Sequence, residues 1–209
     1  MRPGPDAPVL ALDIDGTSGD HHGHFTWFAE LYTGKRMPPA DQFTGGVPFH
    51  QHLGVSRATY NRMKLAYRQG GFKRSMPVYE GIGDFTKEVR ANGVQVWICT
   101  TRPYLRMDNM DPDTRHWLRE RAHMQYDNLL YGPHKYRDLV KAVGRDRVLL
   151  VIDDLPKMAE QAYAAGLPVA LRTQPYNAYW HSSGIASLVS SVDEYCDLFE
   201  QLLRKRDHV

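Results

Sequence analysis

The sequence predicts a three-layer α/β fold, in which helices cover both faces of a parallel sheet of about five strands. Four short runs rich in Val, Ile or Leu have the character of buried strands, and helical patterns separate them. These runs are "PVLALDI", "VQVWICT", "RVLLVID" and "LPVALR", and a weaker fifth is "DNLLYG". Continuous apolar strands that alternate with helices are typical of a parallel sheet buried on both faces.

The helices between these strands have recognisable ends. "IGDFTKEVRANG" stops at Asn92 and Gly93, and "DPDTRHWLRERA" has Asp111 as its expected N-cap, with Pro112 in the first turn. "KYRDLVKAVG" and "KMAEQAYAAG" both end in glycine. The last helix, "SVDEYCDLFEQLLRKR", starts acidic and ends basic, as the helix dipole favours.

One interval interrupts this alternation. About 80 residues separate the first strand from "VQVWICT", which is too many for a single crossover. They contain helical patterns near "HFTWFAELYTG" and "SRATYNRMKLAYRQGG", on either side of a Gly/Pro-rich loop. We therefore predict a helical cap over residues 18–78, inserted into a core made of residues 1–17 and 79–209.

Composition limits the classes of function. The 209 residues suit one domain with a small insertion, and the formal net charge of +2 argues against a large nucleic-acid surface. Cys99 and Cys196 lack the spacing of metal ligands and fit a reducing cytoplasm. No apolar run approaches the length of a membrane span, and the N-terminus does not look like a signal peptide. We expect a soluble cytoplasmic protein with no membrane partner.

Carboxylates follow the first strand at Asp13 and Asp15. Residues two apart in an extended segment point to the same side, so these carboxylates are expected to face one cavity. Neighbouring carboxylates repel each other unless a cation or a proton lies between them, and Mg²⁺ is the usual hard cation. Taken alone, the pattern is also compatible with a strand that ends in an Asx-turn.

A second acidic pair, Asp153 and Asp154, follows the strand "RVLLVID". Carboxylates placed directly after an apolar run are costly unless they meet a cation or hydrogen-bond donors. An N-cap role for Asp154 on the next helix is the alternative. Because ligands bind at the carboxyl ends of parallel strands, both acidic pairs are expected at one edge of the sheet.

Candidate anion-binding groups occur at two other places. Thr100 and Thr101 end the strand "VQVWICT" and offer hydroxyl and backbone N–H groups to phosphate oxygens, although threonine is also common in strands. Lys135 stands at the start of a helix, where the dipole disfavours a cation, so its position makes sense beside a bound anion. A solvated surface lysine is the alternative.

Together, "DIDGT", the threonine pair, the lysine and "DD" resemble the motifs of the haloacid dehalogenase superfamily of phosphohydrolases, over residues 8 to about 177. The resemblance implies a Rossmann-like core. It also implies that Asp13 attacks phosphorus to form an aspartyl-phosphate, while Asp15 protonates the leaving alcohol and later activates water. Mg²⁺ would be held by Asp13, the backbone carbonyl of Asp15 and Asp154, with Asp153 in support.

The same resemblance assigns the phosphate oxygens to Thr100 and Lys135, with Thr101 adjacent. In some relatives the lysine lies closer to the acidic pair. Lys141, which lies 12 positions before Asp153, is therefore a rival for this role.

A finer resemblance concerns "MPVYEGIGDFTKEVRANGVQVWICTTRP" and "DDLP", which are similar to the corresponding stretches of the 5'(3')-deoxyribonucleotidases. It implies a small phosphorylated substrate, a nucleoside monophosphate. Two departures affect base recognition: Arg102, a candidate contact to the substrate, is inserted to give "TTRP", and His21 occupies the place of the family's base-stacking aromatic. We expect Phe43 and Phe49, in the Gly/Pro loop, to be freer to stack on a base.

The histidines and two other functions stay open. His21, His22 and His24 are candidates for base stacking or metal binding, or are simply polar surface. A polynucleotide 3'-phosphatase is a second reading, in which Arg102, Arg106 and Arg115 would contact a nucleic-acid strand. A "TxxWL" pattern that begins at Thr114 supports it, and the near-neutral charge weakens it. A non-catalytic binding protein with the same fold is a third, against which the intact acidic residues and Lys135 argue.

Overall fold

The computed structural model describes residues 3–103, 106–180 and 184–207. A six-stranded parallel sheet, in the order β3-β2-β1-β4-β5-β6, forms its centre. The strands are β1 Val9–Leu12, β2 Gln95–Thr100, β3 Asn128–Tyr131, β4 Val148–Asp153, β5 Val169–Arg172 and β6 Ser187–Val189. The predicted α/β class and the five predicted strands are confirmed. β6 was not predicted, because it has three residues, of which two are exposed, and so carries no apolar run.

β1 is central, and its neighbours set the position of the site. Leu12 lies opposite Ile98 of β2 on one side and Ile152 of β4 on the other. The carboxyl ends of β1, β2 and β4 are therefore adjacent. The chain order also reverses here, which is the place where ligands bind in open parallel sheets.

Eight α-helices occur in the described part of the chain. They are α1 His21–Thr33, α2 Phe49–His52, α3 Arg57–Gln69, α4 Ile82–Ala91, α5 Met110–His116, α6 Lys135–Val143, α7 Pro156–Ala164 and α8 Val192–Asp207. The predicted N-cap at Asp111 is wrong, because Asn109 precedes α5 at that position. The Asp111 carboxylate instead accepts hydrogen bonds from Arg115 Nε at 2.8 Å and the Tyr131 hydroxyl at 2.9 Å.

Alternation along β1 divides the core into two layers. Leu10 and Leu12 pack into a cluster with residues of α4 and α8, whereas Val9 and Ala11 pack on the opposite face with residues of α6 and α7. Successive side chains of a strand point to opposite faces, so this division follows directly from the extended backbone. The predicted three-layer arrangement is confirmed.

Residues 18–78 contain α1, α2 and α3 and have an apolar cluster of their own, in which Phe25, Phe28, Met63 and Tyr67 are buried. The assignment of this segment as a cap stays a prediction. Among the helices in the three described ranges, none combines the length and the apolar character needed to cross a membrane.

Candidate active site

Three buried carboxylates meet at the carboxyl edge of the sheet. Asp13 follows β1, Asp153 ends β4, and Asp154 comes next in the chain. One oxygen from each of the three carboxylates lies within 4.8 Å of the others. The two strand ends that the sequence marks with acidic residues are therefore brought together.

Lys135 bridges two of these carboxylates. Its Nζ lies 2.5 Å from Asp13 Oδ1 and 2.7 Å from Asp153 Oδ2, and its side chain is 1% exposed. Burial opposes its charge, but the carboxylates of Asp13 and Asp153 raise the pKa of Lys135 above its ordinary value. The rival Lys141 is 68% exposed and pairs with Asp138 instead. Of the two lysines, only Lys135 lies in the cluster.

One ammonium does not neutralise three carboxylates. Burial raises the pKa of Asp13 to about 7, against the opposing charge of Lys135 and with a contribution from Asp153. Burial, reinforced by the charges of Asp153 and Asp13, raises the pKa of Asp154 well above its ordinary value. Desolvation is the largest cause of both pKa shifts, and the charges of the neighbouring carboxylates add to it. A hard divalent cation suits this donor set, because all three ligands are carboxylate oxygens.

Hydrogen bonds orient the carboxylate of Asp154. Thr17 Oγ1 donates to Asp154 Oδ1 at 3.1 Å, and the Tyr176 hydroxyl donates to Asp154 Oδ2. Leu155 precedes α7 as its N-cap and makes no side-chain capping bond, which excludes the N-cap alternative for Asp154. Sequence reasoning missed Tyr176, because "QPYNAY" contains no motif that distinguishes one tyrosine from another.

A second tyrosine has the same function on Asp153. The hydroxyl of Tyr136, in α6, donates to Asp153 Oδ2, and Asp153 Oδ1 accepts from the backbone N–H of Leu155 at 2.9 Å. Tyr136 was also missed, although it directly follows Lys135. Both acids of the predicted "DD" motif are thus oriented by a buried phenol.

Asp15 has a different environment from Asp13. Its Oδ1 lies 2.6 Å from Arg102 Nη2, and its Oδ2 lies 2.5 Å from Lys73 Nζ. Burial would raise its pKa, but the charges of Arg102 and Lys73 hold the pKa of Asp15 well below its ordinary value. Burial also lowers the pKa of Lys73 to about 7. Asp15 is therefore an ionised carboxylate held between the guanidinium of Arg102 and the amino group of Lys73.

Neither cation was assigned this position from the sequence. Arg102 was expected to contact substrate, but its guanidinium binds Asp15 and donates from Nη1 to Thr114 Oγ1 at 3.1 Å. Thr114, the first residue of the "TxxWL" pattern, therefore anchors Arg102. Lys73 lies in the 3₁₀ turn Phe72–Ser75, where "FKRS" looks like an ordinary solvated basic stretch.

The two threonines at the carboxyl end of β2 differ in their exposure. Thr100 is 1% exposed, and its Oγ1 accepts a hydrogen bond from the backbone N–H of Arg102 at 3.4 Å. Thr101 is exposed. Both lie at the same edge of the sheet as Asp13, and their phosphate-binding role stays a prediction.

The histidines are not polar surface, contrary to one of the open readings. His21 Nδ1 lies 3.2 Å from Lys73 Nζ, and burial lowers the pKa of His21 well below its ordinary value. His24 is 8% exposed, and its Nδ1 lies 2.7 Å from the Tyr67 hydroxyl. The His22 ring centroid lies 4.2 Å from that of Tyr176.

Phe43 and Phe49 are less free than expected. Phe43 is 8% exposed, and its ring centroid lies 4.9 Å from Phe49 and 5.9 Å from Tyr176. Apolar burial has drawn both rings into contacts with other aromatic residues. Their role in substrate binding stays a prediction.

A cavity of about 230 Å³ opens beside this site. Its lining residues come from both the 18–78 segment and the remainder of the chain: Gly16, Asp20, His22, Ala40, Asp41, Tyr79, Gln174, Pro175 and Tyr176. Gly16 has a φ of +92°, and a Cβ there would collide with Asp154 and Tyr176. Glycine is therefore required where the chain turns away from Asp15.

No family model matches the sequence, and no curated protein matches it. Solved structures do match. A haloacid dehalogenase-superfamily hydrolase of subfamily IA from Geobacter sulfurreducens superposes with a TM-score of 0.60 at 16% identity, over 94% of this chain and 98% of that one. The chain has a haloacid dehalogenase-like fold.

Two further structures support the same fold. CbbY from Rhodobacter sphaeroides, solved in complex with phosphate, gives a TM-score of 0.59 at 19% identity, over 88% of this chain and 94% of that one. A haloacid dehalogenase-like hydrolase from Streptococcus pneumoniae gives 0.58 at 15% identity, over 93% and 100%. The resemblance predicted from the motifs is confirmed for the fold, whereas these neighbours lend no support to the deoxyribonucleotidase resemblance.

Proposed function

We propose that the protein is a Mg²⁺-dependent phosphomonoesterase that works through an aspartyl-phosphate on Asp13. The observation that carries this proposal is the ammonium of Lys135, held between Asp13 and Asp153 beside a third buried carboxylate. Burying three acids against one base is costly unless the site meets further positive charge. A bound cation that also meets an anionic substrate would supply this positive charge.

Asp13, Asp153 and Asp154 would hold the ion, which neutralises phosphate charge and orients the phosphoryl group when bound. In the first step an Asp13 oxygen bonds to phosphorus as the ester P–O bond breaks, and the leaving oxygen takes a proton from Asp15. In the second step Asp15 removes a proton from water, which attacks phosphorus and releases phosphate from Asp13.

The ion pairs of Asp15 bear on both steps. With Arg102 and Lys73 beside it, Asp15 is ionised, which is the form that the second step needs. To act as an acid it must first take up a proton. A dianionic phosphoryl group arriving at the site favours that uptake, because the added negative charge offsets the two cations.

As the finer proposal, the substrate is a nucleoside monophosphate. The cavity beside Asp154 presents the rings of His22, Tyr79 and Tyr176, on which a base can stack. Base stacking on an aromatic ring is worth roughly 1–3 kcal/mol. The base-stacking role predicted for Phe43 and Phe49 stays a prediction.

Among the residues that the structure describes, no specific contact favours action on polynucleotide ends. Arg102 is engaged by Asp15 and Thr114, and Arg115 pairs with Asp111 at 2.8 Å. Two of the three arginines predicted to contact a strand under that reading therefore have intramolecular partners.

The decisive experiment is a substrate panel with Mg²⁺, comparing deoxynucleotides, ribonucleotides, sugar phosphates and a 3'-phosphorylated oligonucleotide. We expect phosphate release, with a nucleoside monophosphate ahead of a sugar phosphate by about ten- to a hundredfold in kcat/KM. Absence of turnover on every member would refute the proposed activity. An oligonucleotide as the best substrate would replace the nucleotidase proposal with an end-processing one.

We also propose a cytoplasmic location. Cys99 is buried and Cys196 is half-buried, and both are free thiols. Free thiols persist in a reducing compartment.

A further inference from the structure

The cavity lined by Gly16 and Tyr176 adjoins both Asp15 and Asp154. Gly16 directly follows Asp15, and Tyr176 donates its hydroxyl hydrogen bond to Asp154. Its volume of about 230 Å³ is below the roughly 300–1,000 Å³ of pockets for drug-sized ligands. A molecule in this cavity is therefore small and lies next to the proposed phosphate site.

The charge of the cavity wall is negative. Asp20 and Asp41 line it, and no lysine or arginine occurs among its lining residues in the described part of the chain. Asp20 Oδ1 is held by the backbone N–H of Gly23 at 2.8 Å, at the start of α1. Asp41 is exposed in the 3₁₀ turn Ala40–Gln42. An anionic group placed in this cavity meets two carboxylates.

The nearby cations do not offset these carboxylates. The side chains of Lys73 and Arg102 are 3% and 1% exposed, and both are bonded to Asp15. Lys135 is 1% exposed and bonded to Asp13 and Asp153. The charge of these three cations is directed to the phosphoryl site.

Uncharged polar partners are available in the cavity. The Gln174 side-chain amide donates to the Gly16 carbonyl at 2.8 Å and to the Tyr79 hydroxyl at 3.0 Å. The Tyr79 hydroxyl can in turn donate its own proton to a ligand hydroxyl.

We infer that this cavity selects a leaving group that is uncharged and bears hydroxyl groups, and that it rejects one with a second phosphate or carboxylate. The inference rests on the proposed phosphomonoesterase function and adds a rule for its substrates. The rule separates simple monophosphates from bisphosphates of the same skeleton.

Matched substrate pairs test the rule. We compare a nucleoside 5'-monophosphate with its 3',5'-bisphosphate, and ribose 5-phosphate with ribose 1,5-bisphosphate, and expect kcat/KM to favour each monophosphate by about tenfold or more. Raising the ionic strength should reduce the preference, because the repulsion is electrostatic.

Variants assign the preference to the cavity wall. Asp41→Lys should abolish or reverse it, and Asp41→Asn, which keeps the shape, should reduce it. Asp146→Lys is the matched control, since Asp146 is 92% exposed and lies just before β4, at the opposite edge of the sheet. The control should retain the full preference.

Binding of the same pairs to Asp13→Asn, measured by calorimetry, separates the two proposals. Turnover without a monophosphate preference, or with a bisphosphate preference, overturns the charge rule and leaves the phosphatase intact. A monophosphate preference in binding, with no turnover of any ester by the unmodified protein, supports the charge rule and overturns the phosphatase.

Discussion

Two ionic clusters at the same edge of the sheet have opposite imbalances of charge. The acidic cluster comprises Asp13, Asp153 and Asp154 around Lys135, and the basic cluster comprises Asp15 with Lys73 and Arg102. The first has more carboxylates than cations, and the second has more cations than carboxylates. A metal ion would supply the positive charge that the acidic cluster lacks, and an anion would balance the basic side chains of the basic cluster. A metal–phosphate pair therefore complements both clusters.

The clusters also differ in what builds them. The acidic cluster comes from the ends of β1 and β4 and from the first residue of α6. The basic cluster joins the loop after β2 to Lys73, which belongs to the 18–78 segment. The acidic cluster therefore depends on the sheet and on a helix packed against it, whereas the basic cluster depends on how the 18–78 segment packs on the sheet. Variants in the acidic cluster should test the chemical step, and variants in the basic cluster should test how packing of the 18–78 segment on the sheet contributes to it.

The largest effect is expected from Asp13→Asn, which keeps the shape of the nucleophile and removes its charge. Phosphate release should fall by more than about 10⁴-fold while the circular dichroism spectrum is unchanged. The unmodified protein should also form a stable complex with beryllium fluoride that the variant does not form. Asp138→Asn, in α6, is the control and should retain activity. Substantial turnover in Asp13→Asn would exclude Asp13 as the nucleophile.

Next in size is Lys135→Ala, which leaves three buried carboxylates without their ammonium. We expect kcat to fall by about 10²–10³-fold, and the melting temperature without Mg²⁺ to drop. Lys141→Ala is the matched control, because Lys141 is 68% exposed. If Lys141→Ala were the damaging change and Lys135→Ala were silent, the lysine of the third motif would be misplaced.

Lys73→Met tests the basic cluster. It removes one of the two cations on Asp15 and the ion pair that ties the 18–78 segment to the site, and keeps the apolar length of the side chain. We expect kcat/KM to fall by about 10- to 100-fold. Lys87→Met, at a side chain that is 48% exposed, should have no effect. Equal activities of the two variants would show that the ion pair between Lys73 and Asp15 does not contribute to catalysis.

The smallest effect is expected from Tyr176→Phe, which removes one hydrogen bond to Asp154. Loss of a partner that orients a metal ligand weakens metal binding by about 10- to 100-fold, and we expect the lower end, because Thr17 still orients Asp154. Calorimetric titration with Mg²⁺ in the absence of substrate measures the loss of affinity. Tyr163→Phe is the control, because Tyr163 is exposed. An unchanged Mg²⁺ affinity would mean that Tyr176 only fills space.

Much of the acidic cluster was predictable from the sequence. Strands buried on both faces leave uninterrupted apolar runs, and their carboxyl ends share one edge of a parallel sheet. Asp13, Asp153 and Asp154 stand directly after such runs, so their meeting follows from local pattern and sheet topology. The unusual position of Lys135 at a helix start marked it as a candidate. Spacing alone did not decide between Lys135 and Lys141.

The tertiary structure decided the rest. Lys73 is 58 residues from Asp15, and nothing in "FKRS" distinguishes a buried cation from a solvated one. The same holds for Tyr176 on Asp154 and for Phe43 packed against its neighbours. Local sequence determines backbone periodicity and therefore where strands and helices end. Which distant side chains meet there depends on how the layers pack, since burial and charge pairing act between segments far apart in the chain.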